Sequence, residues 1–121
     1  MENEKNIEIK QKELLSKNSF EKLADFYSLF ADATRLSIIC LLCKHELCVT
    51  DIATILDISQ SRVSHQLAIL RRADIVTYFR QGKQILYSLT DNHIKDIFKM
   101  GVEHVSEKNE DVYQDRKDKQ F

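Results

Sequence analysis

The segment DNHIKDIFKMGVEHVSE, residues 91–107, carries Asp91-x-His93 at one end and His104-x-x-Glu107 at the other. Imidazole nitrogens and carboxylate oxygens suit a borderline divalent ion, Zn2+ first and Co2+ as its optical surrogate. The residues between are mostly apolar at helical spacing, so the segment reads as one helix. His93 and His104 lie 11 positions apart. That separation is about 20° around a helix but about 16 Å along it, so one ion cannot bridge them within a chain. His104 and Glu107 are neighbours on that face. Asp91, at the N-cap position after Thr90, can fold beside His93.

An antiparallel pair of such helices removes the difficulty. His93 opposite His104 and Asp91 opposite Glu107 share nearly one midpoint, close to Phe98, as a two-fold axis requires. Ile94, Ile97, Phe98, Gly101 and Val105 supply an apolar seam, with Gly101 allowing close approach. A homodimer would then hold two sites, each built from Asp91 and His93 of one chain and His104 and Glu107 of the other. Four protein donors leave no open position for a substrate, so the site is regulatory or structural rather than catalytic. The plainer alternative makes Asp91 a helix cap and the others surface residues of a charged helix.

These residues need a scaffold. The chain has 121 residues, no proline and two glycines, which favours one helix-rich unit. Residues 1–18 are polar and read as an arm or frayed helix. Ser19 is expected to cap a helix whose Phe20, Leu23, Phe26, Tyr27 and Phe30 share a face. Thr34 begins a second helix with Leu36, Ile39 and Leu42 facing inward, and a short helix follows over Thr50–Leu56. Asp57 stands where a helix end takes a left-handed residue, which Asp tolerates. Ser59 caps QSRVSHQLAILRR, with Val63, Leu67 and Leu70 as the buried stripe and Ser61, Arg62, His65 and Gln66 facing out. The period then changes to two in IVTYFR-QGK-QILYSL, a β-hairpin turning at Gly82. The expected organisation is an arm over 1–18, a main domain over 19–107 and a charged, frayed tail over 108–121.

Two helices joined by a tight turn and followed by a hairpin form a winged helix-turn-helix. The fold class is thus mainly α with a β-hairpin, and homodimeric. Net charge is −1, but Ser59 to Thr90 carries five basic residues against one acid, Asp74, while the last twenty residues hold six acids and four bases. Gln60, Ser61, Arg62, Ser64 and His65 are short polar or basic groups able to meet base edges and phosphates in a major groove. Arg80 and Lys83 of the wing suit the phosphate backbone. A solvated helix face alone would show similar residues. The order of turn, helix and basic hairpin points instead to double-stranded DNA, bound by a dimer on a palindromic site.

From Phe20 to Glu107 the chain resembles the ArsR/SmtB family of metal-sensing bacterial repressors. ADATR (31–35), ELCVTDIA (46–53), SQSRVSHQLAILRRADIV (59–76) and RQGKQILYSL (80–89) carry the resemblance. Asp91-x-His93 with His104-x-x-Glu107 is similar to the zinc site on the last helix of the zinc-responsive members. The resemblance implies a repressor whose apo homodimer binds operator DNA and is released by zinc. The chain departs from the thiolate-sensing members. Cys48 is present, but Thr50 replaces the second cysteine of their Cys-x-Cys, and residues 1–39 hold no Cys or His. One soft ligand does not make a cadmium, lead or arsenic site. His45 stands where many relatives have Gly.

Cys40, Cys43 and Cys48 admit a different reading, a repressor sensing thiol redox or persulfide state. A reactive thiol needs an exposed, electropositive setting, and only Lys44 and His45 suggest one in the sequence. Cysteine packed as a small hydrophobe is the simpler account. No nucleophile–base pair or phosphate-binding loop is visible, so an enzyme is not expected. No apolar run suits a bilayer, and the N-terminal MENEKNIEIKQKELL lacks a signal-peptide core, so the expected location is cytoplasmic and without a membrane partner. For coupling between metal and DNA, the expected link is the second ring nitrogen of His104 on a backbone carbonyl between Leu70 and Asp74.

Overall fold

Two serines compete for the start of the first long helix, and Ser16 takes it. α2 (Lys17–Ser28) opens with Ser16 Oγ accepting from the Ser19 amide at 3.1 Å. Ser19, expected as the cap, instead lies in the first turn, its hydroxyl 2.9 Å from that of Ser16. Before it stands α1 (Glu4–Lys12), opened by Asn3, whose Oδ1 accepts from the Asn6 amide at 2.9 Å. Of the two expectations for residues 1–18, an arm or a frayed helix, the segment holds a helix. The computed structural model describes residues 3–106, so Glu107 and the tail lie outside the described residues.

The chain divides into two units, Met1–Asp32 and Ala33–Phe121. In the first, Phe26 meets Tyr27 and Phe30 edge-on at 5.3 Å between ring centroids. Neither α1 nor α2 has a buried residue. Two short helices supply too little apolar surface for a core of their own.

The second unit is built around α3 (Ala33–Leu42), which contacts every other helix of the unit and the second strand of the hairpin. Ile38 and Ile39 are fully buried and Leu42 nearly so, while Leu36 is half-buried. The spacing of Leu36, Ile39 and Leu42 predicts one inward stripe, and Ile38 is buried beyond it. A helix packed on several sides buries more than one stripe.

α4 (Val49–Leu56) ends where expected. Asp57 is left-handed (φ 56°, ψ 49°), and the amides of Asp57 and Ile58 donate to the carbonyls of Thr54 and Ala53. This closure satisfies carbonyls that the helix end would otherwise leave unpaired. α5 (Gln60–Arg72) opens with Ser59 Oγ accepting from the Arg62 amide at 3.1 Å. It closes in the same way. Asp74 is left-handed (φ 60°), its amide donates to the Arg71 carbonyl, and the Ile75 amide donates to that of Leu70.

The hairpin pairs β1 (Val76–Gln81) with antiparallel β2 (Gln84–Leu89). Gln81 faces Gln84, so Gly82 and Lys83 form a two-residue turn with positive φ (62°) at Gly82 and not at Lys83. That pattern fits a type II′ turn, which takes glycine first. Tyr87 exchanges both backbone hydrogen bonds with Leu47, fastening the hairpin to the chain before α4. α6 (Asn92–Ser106) packs on α3 and β2. This is the winged helix-turn-helix expected from the sequence.

Candidate functional site

The recognition helix is held from beneath and open above. Val63, Leu67 and Leu70 are buried, while Gln60, Ser61, Arg62, Ser64 and His65 are exposed. The capping bond of Ser59 aims the first turn outward, and the hydroxyls of Ser59 and Ser61 lie 3.3 Å apart. Arg62 reaches back to α3, its Nη2 donating to Thr34 Oγ1 at 3.1 Å. Gln66 does not face out as expected. It is half-buried, and its Oε1 accepts from Arg35 Nη1 at 3.2 Å. Two long-range bonds therefore fix the rotation of α5 against α3.

On the wing, Arg80 and Lys83 are exposed. Two further residues went unassigned in the sequence reading. Arg71, in the last turn of α5, lies with its guanidinium carbon 4.3 Å from the centroid of the Tyr78 ring. Tyr78 faces Tyr87 across the hairpin at 5.6 Å between centroids. The available signal was a tyrosine on each predicted strand, directly paired once the turn is fixed at Gly82.

The proposed metal ligands are set out along α6. Asp91 Oδ1 accepts from the amides of His93 at 2.9 Å and Ile94 at 3.3 Å, capping the helix. His93 Nδ1 lies 3.5 Å from the same oxygen, and both side chains are exposed. These contacts all use Oδ1. His104 is exposed in the last turn. Among the described residues, no group of three or more His, Cys, Asp or Glu is gathered as an ion would need. One chain brings together Asp91 and His93 but not His104. The donor types of that pair fit zinc, and two donors are half of what a closed four-donor site takes.

Thr90, the residue before Asp91, is joined to the end of α5. Its hydroxyl donates to the Asp74 carbonyl at 2.8 Å, with the Ile75 carbonyl at 3.2 Å, and its amide donates to the Ile75 carbonyl at 3.0 Å. The Asp74 carbonyl belongs to the segment expected to accept from His104. Here it holds Thr90, the neighbour of Asp91.

The three cysteines are free and half-buried. Burial pushes the Cys43 thiol up, Cys40 adds to the rise, and Lys95, Lys44 and Lys99 only partly offset it. A reactive thiolate needs the opposite shift. Cys48 occupies the N-cap of α4 without a side-chain capping bond.

A family model described as "Bacterial regulatory protein, arsR family" matches residues 32–78. The chain is 40% identical over 97 residues to a "Transcriptional repressor SmtB homolog" of Synechocystis sp., covering 80% of this chain and 74% of that protein. It is 34% identical over 98 residues to a "Cadmium resistance transcriptional regulatory protein CadC homolog" of Staphylococcus aureus, covering 80% of each. Among solved structures, the "solution structure of apo-NmtR" superposes with a TM-score of 0.68 at 34% identity, covering 85% of this chain and 86% of that one. No helix among the described residues is long and apolar enough to cross a membrane.

Proposed function

The chain belongs to the ArsR family of bacterial regulatory proteins, helix-turn-helix proteins that bind operator DNA, and from that premise we propose that it is a metal-responsive repressor with zinc as its ion. One observation carries this reading. α6 bears Asp91 and His93 as an exposed half-site at its start, and His104 on the same helical face near its end. Of the apolar seam expected on this helix, Ile94 is buried within the chain itself, Ile97 and Phe98 are half-buried, and Gly101 and Val105 are exposed. A second copy, antiparallel, would cover that seam and complete each site with His104 and Glu107 of the partner. Co2+ would occupy the same donors. Such an ion would supply positive charge that draws the donors of two chains together, and with four protein donors it would take no substrate.

The residues of this chain do the rest. Gln60, Ser61, Arg62, Ser64 and His65 read the major groove, and Arg80 and Lys83 hold phosphates. Asp91 holds the helix cap through Oδ1, and its carboxylate would also hold the ion, so that binding would bear on the first turn of α6. Thr90 carries any displacement of that turn to the Asp74 carbonyl, at the end of the recognition helix. Zinc that loosens the DNA-bound arrangement is itself loosened by DNA, by the same factor. The raised Cys43 thiol favours this reading over the thiol-sensing alternative at Cys40, Cys43 and Cys48.

The test is a Co2+ titration of the full chain, followed by DNA binding with and without Zn2+. The expected result is tetrahedral d–d bands at one ion per chain, lost in His93→Ala, with zinc releasing the DNA. An intense sulfur-to-metal charge-transfer band would move the site to the cysteines. An apo chain that folds and dimerises only on adding metal would make the ion structural rather than a signal.

A further inference from the structure

Arg71 is exposed, has no carboxylate partner among the described residues, and holds its guanidinium carbon over the Tyr78 ring, 4.3 Å from the centroid. A guanidinium held over a ring face makes no hydrogen bond there, so its N–H groups stay available to other acceptors, and that planar fork matches a phosphate. The alternation of β1 puts Val76, Tyr78 and Arg80 on one face of the hairpin. Val76 is fully buried and β1 packs on α5, so this is the face turned towards the recognition helix. Arg71 and Arg80 therefore border the gap between helix and wing, with Tyr78 between them. When a recognition helix sits in the major groove and a wing lies along the backbone, a sugar–phosphate strand must pass over that gap.

We propose that Arg71 is a phosphate-binding residue of the DNA interface, and that Tyr78 is the positioning residue that holds its guanidinium ready. Tyr87 backs Tyr78 from the neighbouring strand, and its backbone is fastened to Leu47. The platform is thus tied to the body of the fold. A long side chain already held in its binding geometry loses less freedom when DNA arrives. The one acid of this segment, Asp74, has its backbone turned left-handed just beyond the helix end, and no ion pair joins it to Arg71.

The experiment measures how binding by the metal-free full chain depends on salt, using a labelled duplex that the protein itself selects from a random-sequence pool. Arg71→Ala is expected to reduce the slope of log affinity against log salt by about 0.9 for each bound protomer, the value of one phosphate contact. Arg71→Lys keeps the charge, so it should keep most of the slope while binding more weakly. Tyr78→Leu should weaken binding about two- to fivefold, what a surface cation–π contact contributes, and should add nothing once Arg71 is alanine. Both side chains are exposed, and thermal melting checks that the variants fold. A weakened Arg71→Ala variant with the wild-type slope would reduce Arg71 to a brace for the wing. Additive losses from Tyr78→Leu and Arg71→Ala would remove the positioning role of Tyr78. None of these readings uses zinc, so they hold or fail independently of the metal assignment.

Discussion

α5 and α6 are helices of similar length, 13 and 15 residues, and each carries an apolar stripe. Their stripes meet different fates. α5 buries Val63, Leu67 and Leu70 at 0, 1 and 0% exposure. α6 buries only Ile94 of its stripe, leaves Ile97 and Phe98 half-buried, and leaves Val105 at 49%. The chain itself completes the packing of α5, so the interface α5 offers is its polar back. The chain leaves α6 half packed, so the interface α6 offers is its apolar front, with the candidate ligands along its border. On the function proposed above, the filled helix leaves its polar back for DNA and the unfilled one awaits a second copy of the chain.

The largest expected effect tests the filled side. Leu67→Ala should destabilise the chain by about 2–5 kcal/mol in urea denaturation. Val105→Ala, studied at concentrations too low for association, should stay within about 0.5 kcal/mol. Equal costs would erase the contrast.

Gly101 sharpens it by sign. A Cβ built there meets nothing within 4 Å in the single chain. Gly101→Ala should therefore stabilise an isolated α6 by about 1 kcal/mol. If two α6 helices approach closely at that point, the same methyl should weaken association by about 1–3 kcal/mol, read by analytical ultracentrifugation. A tighter dimer would place the seam elsewhere.

Asp91 separates cap from ligand. Asparagine caps as well as aspartate, so Asp91→Asn should leave apo stability within a few tenths of a kcal/mol. It should cost at least about tenfold in zinc affinity, since even outer partners of metal ligands are worth that. Unchanged zinc binding would confine Asp91 to its capping role. The smallest effect belongs to the end of α5. Asp74 holds φ 60° without glycine's freedom, so Asp74→Gly should raise stability by up to about 1 kcal/mol in thermal melting.

What could be read in advance follows the same division. Local signals were legible: Asp57 as a left-handed stop, Ser59 as a cap, the stripe of α5, and the turn at Gly82. Each depends on a few neighbouring residues. Ser16 and Ser19 were both chemically able to start α2, and spacing alone did not choose between them. The bonds from Arg35 to Gln66 and from Arg62 to Thr34 span 31 and 28 positions. Nothing in local periodicity announces such contacts. The seating of Arg71 on Tyr78 depends on how the hairpin folds back on α5, which the pattern of either element alone does not contain.

The hydrogen bonds of Thr90 also bear on the order of events during folding. Val76 pairs with Leu89, and the Thr90 amide donates to the Ile75 carbonyl, so Thr90 extends the last rung of the hairpin. Asp91, the next residue, caps α6. Starting a helix is the costly part of making one, and a hairpin closed first, a matter of about 1–10 μs, would set Asp91 in place to cap the first turn. A substitution that delays the turn at Gly82 should then delay the last helix, although Gly82 lies ten positions before the start of α6 at Asn92.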